Sequence, residues 1–266
     1  MTGSGNDFVM VDGRVTTPAD WSPQDIQAVC ARGTGVGADG LVFVRPGSEP
    51  GAARMIYFNS DGSHAAMCGN AALCATWLAA RLGLAPPTGM RLETDAGAYQ
   101  ARCGAGDGRA ALGFGPVASP GGVRGLQLQP GEHQAALASV GVPHLVVLVD
   151  DVDRVDLPLR GRALRWDPAL GPAGANVNFV SPGNDPSEWR MRTYERGVEG
   201  ETLACGTGSV AAACALHGWG LGALPMAVIT RSERRLAVQA RRQADGGYGD
   251  VWLEGEARLV FRGVLA

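Results

Sequence analysis

The chain has 266 residues, which is enough for one large domain or for two domains of roughly 130 residues each. Charged residues make up 18% of the sequence and the formal net charge is -3, so there is no basic face for nucleic acid. No stretch reaches the roughly 20 apolar residues of a membrane helix, and residues 1–14 lack the flank and apolar run of a secretory signal. We therefore expect a cytoplasmic protein that binds neither nucleic acid nor a membrane.

The cysteine and lysine content limits which cofactors and reaction mechanisms the protein can use. The six cysteines are too few for a disulfide scaffold and show no CxxC spacing, so we expect reduced thiols. All 23 basic residues are arginine, and the sequence contains no lysine. Because a pyridoxal phosphate enzyme needs a lysine for its Schiff base, we exclude that cofactor and predict none. No metal is predicted either, because metal-ligand spacing is absent around His64, His133 and His217.

The first half of the chain contains short strands and one long helix. Alternating apolar residues predict strands at 8–12, 41–44, 54–58 and 90–94. A helix from about 69 to 82 is predicted by apolar side chains spaced by three and four residues, namely Leu73, Trp77, Leu78 and Leu82. Gly83 is expected to end this helix.

The second half repeats the first. Met-Cys-Gly-Asn-Ala at 67–71 recurs as Ala-Cys-Gly-Thr-Gly at 204–208, so Cys205 follows Cys68 by half the length of the chain. Further segments match at the same offset within one residue: 3–12 with 141–150, and 37–39 with 174–176. Ordered matches at one spacing indicate an internal duplication.

We therefore predict an α/β fold of two similar domains, in each of which strands surround one central helix. The first domain is expected to comprise residues 1–118 together with a terminal strand at 258–266, and the second residues 119–257. The central helix of the second domain is predicted from about 206 to 216. Its alanine-rich sequence is typical of a helix that is buried on every side.

Cys68 and Cys205 each stand at the predicted start of a central helix, immediately before a glycine. Unpaired backbone N–H groups and the helix dipole favour negative charge there, so a thiolate is expected to form easily. The duplication predicts that the two cysteines face each other across a cleft between the halves. A thiolate on one side of an α-carbon and a thiol on the other can remove and return a proton, which inverts the stereocentre.

The other candidate residues each have a simpler interpretation. Asn6 and Asn59 stand in turn-like sequences, and His144 lies in an apolar strand where a buried core histidine is usual. The duplication nevertheless aligns His144 with Asn6, which points both to one site. Glu195 and Arg196 follow a predicted strand as a potential surface ion pair. Four cysteines lack the duplicated context and are predicted to be small buried hydrophobic residues: Cys30, Cys74, Cys103 and Cys214.

Taken together, the motifs resemble the diaminopimelate epimerase family. They are Gly-Ser-Gly-Asn-Asp-Phe at 3–8, Phe-Asn-Ser-Asp-Gly-Ser at 58–63, Met-Cys-Gly-Asn-Ala at 67–71, Pro-His at 143–144, Asn176, Tyr-Glu-Arg-Gly at 194–197 and Leu-Ala-Cys-Gly-Thr-Gly at 203–208. The resemblance covers nearly the whole chain. It implies a pyridoxal-independent enzyme, usually a homodimer, that interconverts LL- and meso-diaminopimelate in lysine and cell-wall synthesis. It also implies two similar α/β domains, each a β-barrel closed around a central helix.

The resemblance also implies roles for individual residues. Cys68 and Cys205 would be the acid and the base, while His144 and Glu195 would assist the thiols and contact the amino end of the substrate. The residues implied to hold the distal amino and carboxyl groups are Asn6, Asn59, Asn176 and Arg196. Those implied to bind the reacting carboxylate through backbone and side-chain donors are Gly69, Asn70, Gly206 and Thr207.

The sequence departs from the family at two positions. Gly40 stands where some members have a substrate-binding glutamine, and Val142 stands where many have an asparagine. These two contacts are expected to be lost or replaced.

Three alternatives remain open on the sequence. A proline or hydroxyproline epimerase shares Cys-Gly-Thr-Gly, but it usually has a histidine where this chain has Asn70. An isomerase of the phenazine-biosynthesis type generally lacks the cysteine pair. A non-catalytic thiol redox protein of the same fold would join Cys68 and Cys205 in a regulatory disulfide.

Overall fold

A computed structural model describes residues 1–104 and 108–265 of the chain. The chain divides into two compact units, the first formed by Met1–Gly113 with Glu254–Ala266 and the second by Phe114–Leu253. The first unit thus ends before residue 118, and the segment that returns to it begins before residue 258.

The elements of the first unit follow the order expected from the sequence. They are β1 (Thr2–Gly3), β2 (Asn6–Asp12), α1 (Pro23–Cys30), β3 (Gly40–Pro46), β4 (Ala52–Asn59), β5 (His64–Ala65), α2 (Gly69–Arg81), β6 (Met90–Thr94), β7 (Gly97–Cys103) and β8 (Arg109–Phe114). Each strand predicted from alternation lies within one of these elements.

The second unit has the same succession of elements. They are β9 (Glu132–Val140), β10 (Val142–Val149), α3 (Leu157–Arg165), β11 (Asn176–Pro182), β12 (Glu188–Glu195), β13 (Gly200–Thr202), α4 (Gly206–Gly218), β14 (Met226–Ile229), β15 (Arg235–Arg242) and β16 (Tyr248–Glu256). Short 3-10 helices occur at Pro18–Asp20, Val152–Arg154 and Pro168–Leu170.

The predicted terminal strand at 258–266 is wrong for the part of the chain that is described. β16 ends at Glu256, Arg258 makes an isolated bridge to Thr2, and residues 259–265 have no regular structure. Their side chains are exposed, so no packing against a neighbour selects a strand there. Residue 266, and residues 105–107 of the predicted first domain, lie outside the described residues.

The strand order confirms the duplication. The first unit is ordered β1-β2-β3-β4-β6-β7-β8 with β5 beside β4, and the second β9-β10-β11-β12-β14-β15-β16 with β13 beside β12. His144 lies opposite Asn176 in the same register as Phe8 opposite Gly40. The strands β3 and β11 begin 136 residues apart, as do β4 and β12, so Asn176 is equivalent to Gly40 and the sequence alignment of 37–39 with 174–176 is one residue out.

Parallel strand pairs need a crossover connection, and each unit supplies two. The pairs β2 with β3 and β10 with β11 are parallel and are joined through α1 and α3. The pairs β4 with β6 and β12 with β14 are parallel and are joined through α2 and α4. Ile26 and Cys30 of α1 pack on Leu41 and Phe43, which places α1 on one face of its sheet.

The central helices α2 and α4 are surrounded by strands, as predicted. α2 contacts β1, β2, β3, β4, β6 and β7, and α4 contacts β9, β10, β11, β14 and β15. Small side chains let the strands approach closely, and most residues of both helices are buried. The helices also end alike, with Gly83 and Gly220 at φ 69° and 76°. The left-handed conformation at these glycines closes the last helical turn.

Within the described residues, none of the helices is both long and apolar enough to cross a membrane.

Close packing makes Gly40 sensitive to substitution. A Cβ atom at this position would lie 2.5 Å from the carbonyl oxygen of Phe58 and 2.5 Å from the ring of Tyr57. Because a backbone oxygen cannot rotate away, we expect Gly40→Ala to lower the free energy of unfolding by about 1–3 kcal/mol. Urea unfolding measures this change. The matched control is Gly89→Ala, since a Cβ atom there meets no atom within 4 Å. Equal stabilities of the two variants would contradict the prediction.

Candidate active site

Cys68 and Cys205 are the N-cap residues of α2 and α4. Both have extended backbone angles, with φ -140° and ψ 122° at Cys68 and φ -126° and ψ 109° at Cys205. Their carbonyl oxygens accept the first helical hydrogen bonds, from the N–H groups of Ala72 and Ser209, each at 2.9 Å. A thiol therefore stands at each helix start where a capping oxygen is usual.

The surroundings of the two thiols differ. Cys205 is 6% exposed, and its Sγ lies 3.7 Å from Thr207 Oγ1. A Cβ atom at Gly206 would lie 2.8 Å from a leucine side chain of β16, whereas one at Gly69 would meet no atom within 4 Å. The first turn of α4 is therefore packed, while that of α2 has open space beside Gly69.

Asn6 and Asn70 lie together in the first unit. Asn70 Nδ2 donates to Asn6 Oδ1 at 2.7 Å, and Asn6 Nδ2 donates to Asp39 Oδ2 at 2.8 Å. Because a carboxylate only accepts, Asp39 fixes the orientation of both carboxamides. Asn70 Oδ1 is left buried, with no hydrogen-bond partner among the described residues. The side chain of Asn70 thus offers an acceptor.

Asn59 lies at the turn between β4 and β5, as its sequence context suggests. Its N–H group donates to the carbonyl oxygen of Ser63 at 2.9 Å, and its Nδ2 donates to Ser63 Oγ at 3.0 Å. Asn59 stands opposite Gly40 in the register of β3 and β4. In the second unit Glu195 ends β12 where Asn59 ends β4, and Asn176 begins β11 where Gly40 begins β3.

His144 is fully buried in β10. Its Nδ1 lies 3.3 Å from Asn178 Nδ2, which also donates to the carbonyl oxygen of Leu145 at 3.2 Å. The hydroxyl of Thr193 donates to Asn178 Oδ1 at 3.0 Å. Burial lowers the pKa of His144 to about 3, and the positive charge of Arg196 acts in the same direction. The imidazole is therefore neutral.

Glu195 and Arg196 begin the turn that follows β12. The N–H group of Arg196 donates to Asn176 Oδ1 at 2.8 Å, which joins the turn to β11. Burial raises the pKa of Glu195, and Thr202 opposes this shift. The ion pair expected between Glu195 and Arg196 is absent, and within the described residues Arg196 has no carboxylate partner. A half-buried guanidinium is therefore available to an anion.

A second set of contacts, made by Arg165 and Glu199, holds the same turn. Buried Arg165 donates to Glu199 Oε1 at 3.2 Å and to the carbonyl oxygen of Ala173 at 3.0 Å. Glu199 in turn accepts from the N–H group of Gly197 at 3.1 Å and donates its own N–H to the carbonyl oxygen of Glu195 at 2.8 Å. The backbone that carries Arg196 is thus fixed on both sides.

Sequence reasoning missed several residues that organise the site: Asp39, Arg165, Asn178, Thr193 and Glu199. Of these residues, Asn178 could have been recognised from the sequence. Asn176 and Asn178 alternate within the apolar strand β11, so their side chains lie on one face. Two asparagines two positions apart in a buried strand indicate a polar site.

The structure shows what occupies the space at Gly40 and Val142, the two positions where the sequence departs from the family. At Gly40 the space for a side chain is occupied by Tyr57, whose hydroxyl would lie 3.0 Å from an added Cβ atom. A glutamine does not fit there unless Tyr57 moves. Val142 begins β10 opposite Val140 and adds no polar group.

The remaining cysteines are structural. Cys30, Cys74 and Cys214 are buried, as predicted, whereas Cys103 ends β7 with partial exposure, so the prediction of burial is wrong for Cys103. Burial raises the pKa of Cys74 and of Cys214 to about 12 in each case. These thiols stay protonated and are unsuited to act as bases.

No metal centre is formed by the side chains described. Within residues 1–104 and 108–265, no three histidine, cysteine, aspartate or glutamate side chains cluster as metal ligands would.

This duplicated α/β fold, with a central helix in each unit, is shared with a class of proteins whose structures have been solved. A phenazine biosynthesis protein of the PhzF family from Bacillus anthracis superposes with a TM-score of 0.68 at 14% identity, covering 96% of this chain and 92% of that one. A hydroxyproline epimerase from Agrobacterium vitis, solved with trans-4-hydroxy-L-proline, superposes with a TM-score of 0.62 at 19% identity, covering 96% and 86%. At these identities the likeness shows the shared fold.

Within this class, the chain belongs to the diaminopimelate epimerase family. It matches the profile of that family, described as diaminopimelate epimerase, over residues 1–118 and 136–244. The diaminopimelate epimerase of Gemmatimonas aurantiaca is 47% identical over 279 residues, which cover 100% of this chain and 98% of the relative. The resemblance inferred from the motifs is confirmed.

The burial of a neutral His144 makes the free energy of unfolding depend on pH. The pKa of the folded chain is lowered to about 3, whereas an unfolded histidine titrates near about 6.5. As the pH falls below about 6.5 the unfolded chain binds a proton that the folded chain does not, so stability is lost at about 1.4 kcal/mol per pH unit. We expect His144→Gln to remove this contribution. Urea unfolding between about pH 4 and pH 6.5 should give a shallower decline for the variant than for wild type; parallel declines would contradict the assignment.

Proposed function

We propose that the protein is a diaminopimelate epimerase, an isomerase that interconverts LL-2,6-diaminopimelate and meso-diaminopimelate without pyridoxal phosphate, in lysine and peptidoglycan precursor synthesis. The observation that carries this proposal is the equivalent N-cap position of Cys68 and Cys205 on the central helices of a duplicated chain. Family membership supports the choice of substrate, because the relative that matches along the whole chain bears that name.

The proposed reaction is a two-base proton exchange. A thiolate on one face of the α-carbon takes the α-proton, and the bonding electron pair stays on the substrate, delocalised into the adjacent carboxylate. A thiol on the opposite face then gives its proton to the α-carbon and becomes the thiolate, so atoms and charge balance. We assign these roles to Cys68 and Cys205, which exchange them when the reaction runs in reverse. Helix-start N–H groups are suited to stabilise the charge that develops.

The reacting carboxylate is assigned to backbone donors at the two helix starts, at Gly69, Asn70, Gly206 and Thr207. The hydroxyl of Thr207 adds a donor close to Cys205. The side chain of Asn70 presents a buried acceptor oxygen instead, which suits an ammonium group. We therefore assign only the backbone N–H group of Asn70 to the carboxylate.

The distal carboxylate is assigned to Arg196. Support comes from the guanidinium itself, which has no carboxylate partner within the described residues and can form a bidentate pair with a carboxylate. Asn6, Asn59 and Asn176 are assigned to the remaining polar atoms of the distal end. His144 and Glu195 are assigned to assist the thiols, since burial keeps His144 neutral and raises the pKa of Glu195.

Solvent deuterium incorporation at the α-carbon tests the two-base reaction. We expect the reduced protein to exchange this hydrogen of LL-diaminopimelate, and turnover to fall by about 10²- to 10⁴-fold in Cys68→Ala and in Cys205→Ala, because each removes one proton-transfer group. NMR spectroscopy measures the exchange. Cys103→Ala, which alters a partly exposed thiol outside the site, is the matched control and should retain activity.

The same assay separates the alternatives. Exchange with L-proline and none with diaminopimelate would move the assignment to a proline or hydroxyproline epimerase. No exchange with either, in protein kept reduced, would remove the catalytic proposal and leave a thiol redox or binding protein.

Selectivity for a second carboxylate tests Arg196. We expect Arg196→Gln to lower kcat/KM for diaminopimelate by about 10- to 100-fold, because a charge-assisted hydrogen bond is lost. Steady-state kinetics measures this loss. Arg190→Gln is the control, since Arg190 forms its ion pair with Asp153 at 2.5 Å. Equal losses in the two variants would argue against the assignment of Arg196.

We also propose a cytoplasmic homodimer. A reaction that uses one thiolate and one thiol requires reduced cysteines, which a reducing compartment maintains. The exposed apolar residues of the C-terminal segment offer a surface that a second copy can cover: Leu259, Val260, Phe261, Val264 and Leu265.

A further inference from the structure

Buried hydrogen bonds fix the orientation of the Asn178 carboxamide. One end lies 3.2 Å from the carbonyl oxygen of Leu145, which can only accept, so this end must be the amide nitrogen. The other end accepts from the hydroxyl of Thr193 at 3.0 Å. Asn178 is fully buried, so water does not compete for these positions. The amide nitrogen therefore points toward both Leu145 and His144.

This orientation determines which nitrogen of His144 carries the hydrogen. The amide nitrogen of Asn178 lies 3.3 Å from His144 Nδ1 and can only donate, so Nδ1 must be the acceptor. In a neutral imidazole the hydrogen then sits on Nε2. Nε2 is buried and has no hydrogen-bond partner among the described residues. A buried donor in this state is unfavourable, and an acceptor supplied by a ligand or a charged group satisfies it.

Asn178 also borders the start of α4. A Cβ atom at Gly208 would lie 2.3 Å from Asn178 Oδ1 and 3.1 Å from Cys205 Sγ, so Gly208 separates the carboxamide from the thiol. In the first unit the equivalent positions are Ala71 and Val42. The carboxamide on the strand, with a glycine on the helix to admit it, is therefore specific to the second unit.

We propose that Asn178 is a positioning residue that holds His144 as its Nε2–H tautomer, so that His144 donates a hydrogen bond to an anion. The anion is the substrate carboxylate or a cysteine thiolate. Because Nδ1 is occupied and Nε2 carries a hydrogen, His144 does not accept from the substrate ammonium group, contrary to the contact that the family resemblance implies. The nature of the anion rests on the proposed function, whereas the tautomer does not.

The tautomer can be measured directly, because the chain contains only 4 histidines. A long-range ¹H–¹⁵N correlation spectrum, with His144 assigned by its loss in His144→Gln, reports which ring nitrogen carries the hydrogen. We expect Nε2–H in the wild type. In Asn178→Asp the carboxylate can only accept, so the hydrogen should be found on Nδ1. Thr193→Val is the matched control and should keep Nε2–H, because Leu145 still orients the carboxamide.

An Nδ1–H tautomer in the wild type would overturn the proposal, and this measurement needs no variant other than the one used for assignment. An unchanged tautomer in folded Asn178→Asp would overturn it as well. A wild-type protein with Nε2–H but without epimerase activity would contradict the proposed function and leave the tautomer assignment standing.

Kinetics with diaminopimelate shows which anion is bound. We expect Asn178→Asp to lose about 10- to 100-fold in kcat/KM, as for a hydrogen bond to a charged group, while Cys103→Ala, a change outside the site, keeps wild-type kinetics. A raised KM identifies the substrate carboxylate as the acceptor, and a lowered kcat identifies the thiolate. Wild-type values of both constants in Asn178→Asp would overturn the positioning role.

Discussion

The amino end of a buried helix is the constraint on which the rest of this structure depends. The first N–H groups of a helix have no acceptor within the helix, and a capping oxygen usually satisfies one of them. In α2 and α4 the N-cap residue is a cysteine, so stability must come from elsewhere. It comes from strands packed around both helices and from the turns at Gly83 and Gly220 that close their other ends. In the proposed function these amino ends carry the acid and the base.

The duplicated backbone carries polar groups of opposite character at its two helix starts. In the first unit, Asp39 orients Asn6 and Asn70 so that a buried carbonyl oxygen is presented. In the second, the Leu145 carbonyl orients Asn178 and His144 so that a buried N–H group is presented. An amino acid carries an ammonium and a carboxylate group on one carbon. The acceptor of the first unit suits an ammonium group, and the donor of the second unit suits a carboxylate.

The sequence predicts the helices, the strands and the duplication well, because the patterns that define them are local in the sequence. Helical spacing and a terminating glycine define α2, alternation defines β6, and the recurrence of one pentapeptide defines the duplication. The polar networks depend on the register between neighbouring strands. An error of one residue in aligning the two halves of the sequence is enough to pair the wrong side chains. The sequence alignment therefore matched residue 39, not Gly40, with Asn176. No local pattern shows that Asn178 reaches His144 from a neighbouring strand. The strand expected at 258–266 is wrong for residues 259–265, whose exposed side chains pack against no neighbouring strand.

The path of the chain sets an order for its assembly. The second unit is continuous in sequence, whereas the first contains both the first and the last residues of the chain. Thr2 and Arg258 exchange backbone hydrogen bonds of 2.9 Å, and the N–H group of Ala257 donates to the carbonyl oxygen of Gly108 at 2.6 Å. On the ribosome, chains emerge from the amino end and domains fold as they are released. The unit that is made first is therefore completed last, after the unit that carries Cys205 has already been synthesised.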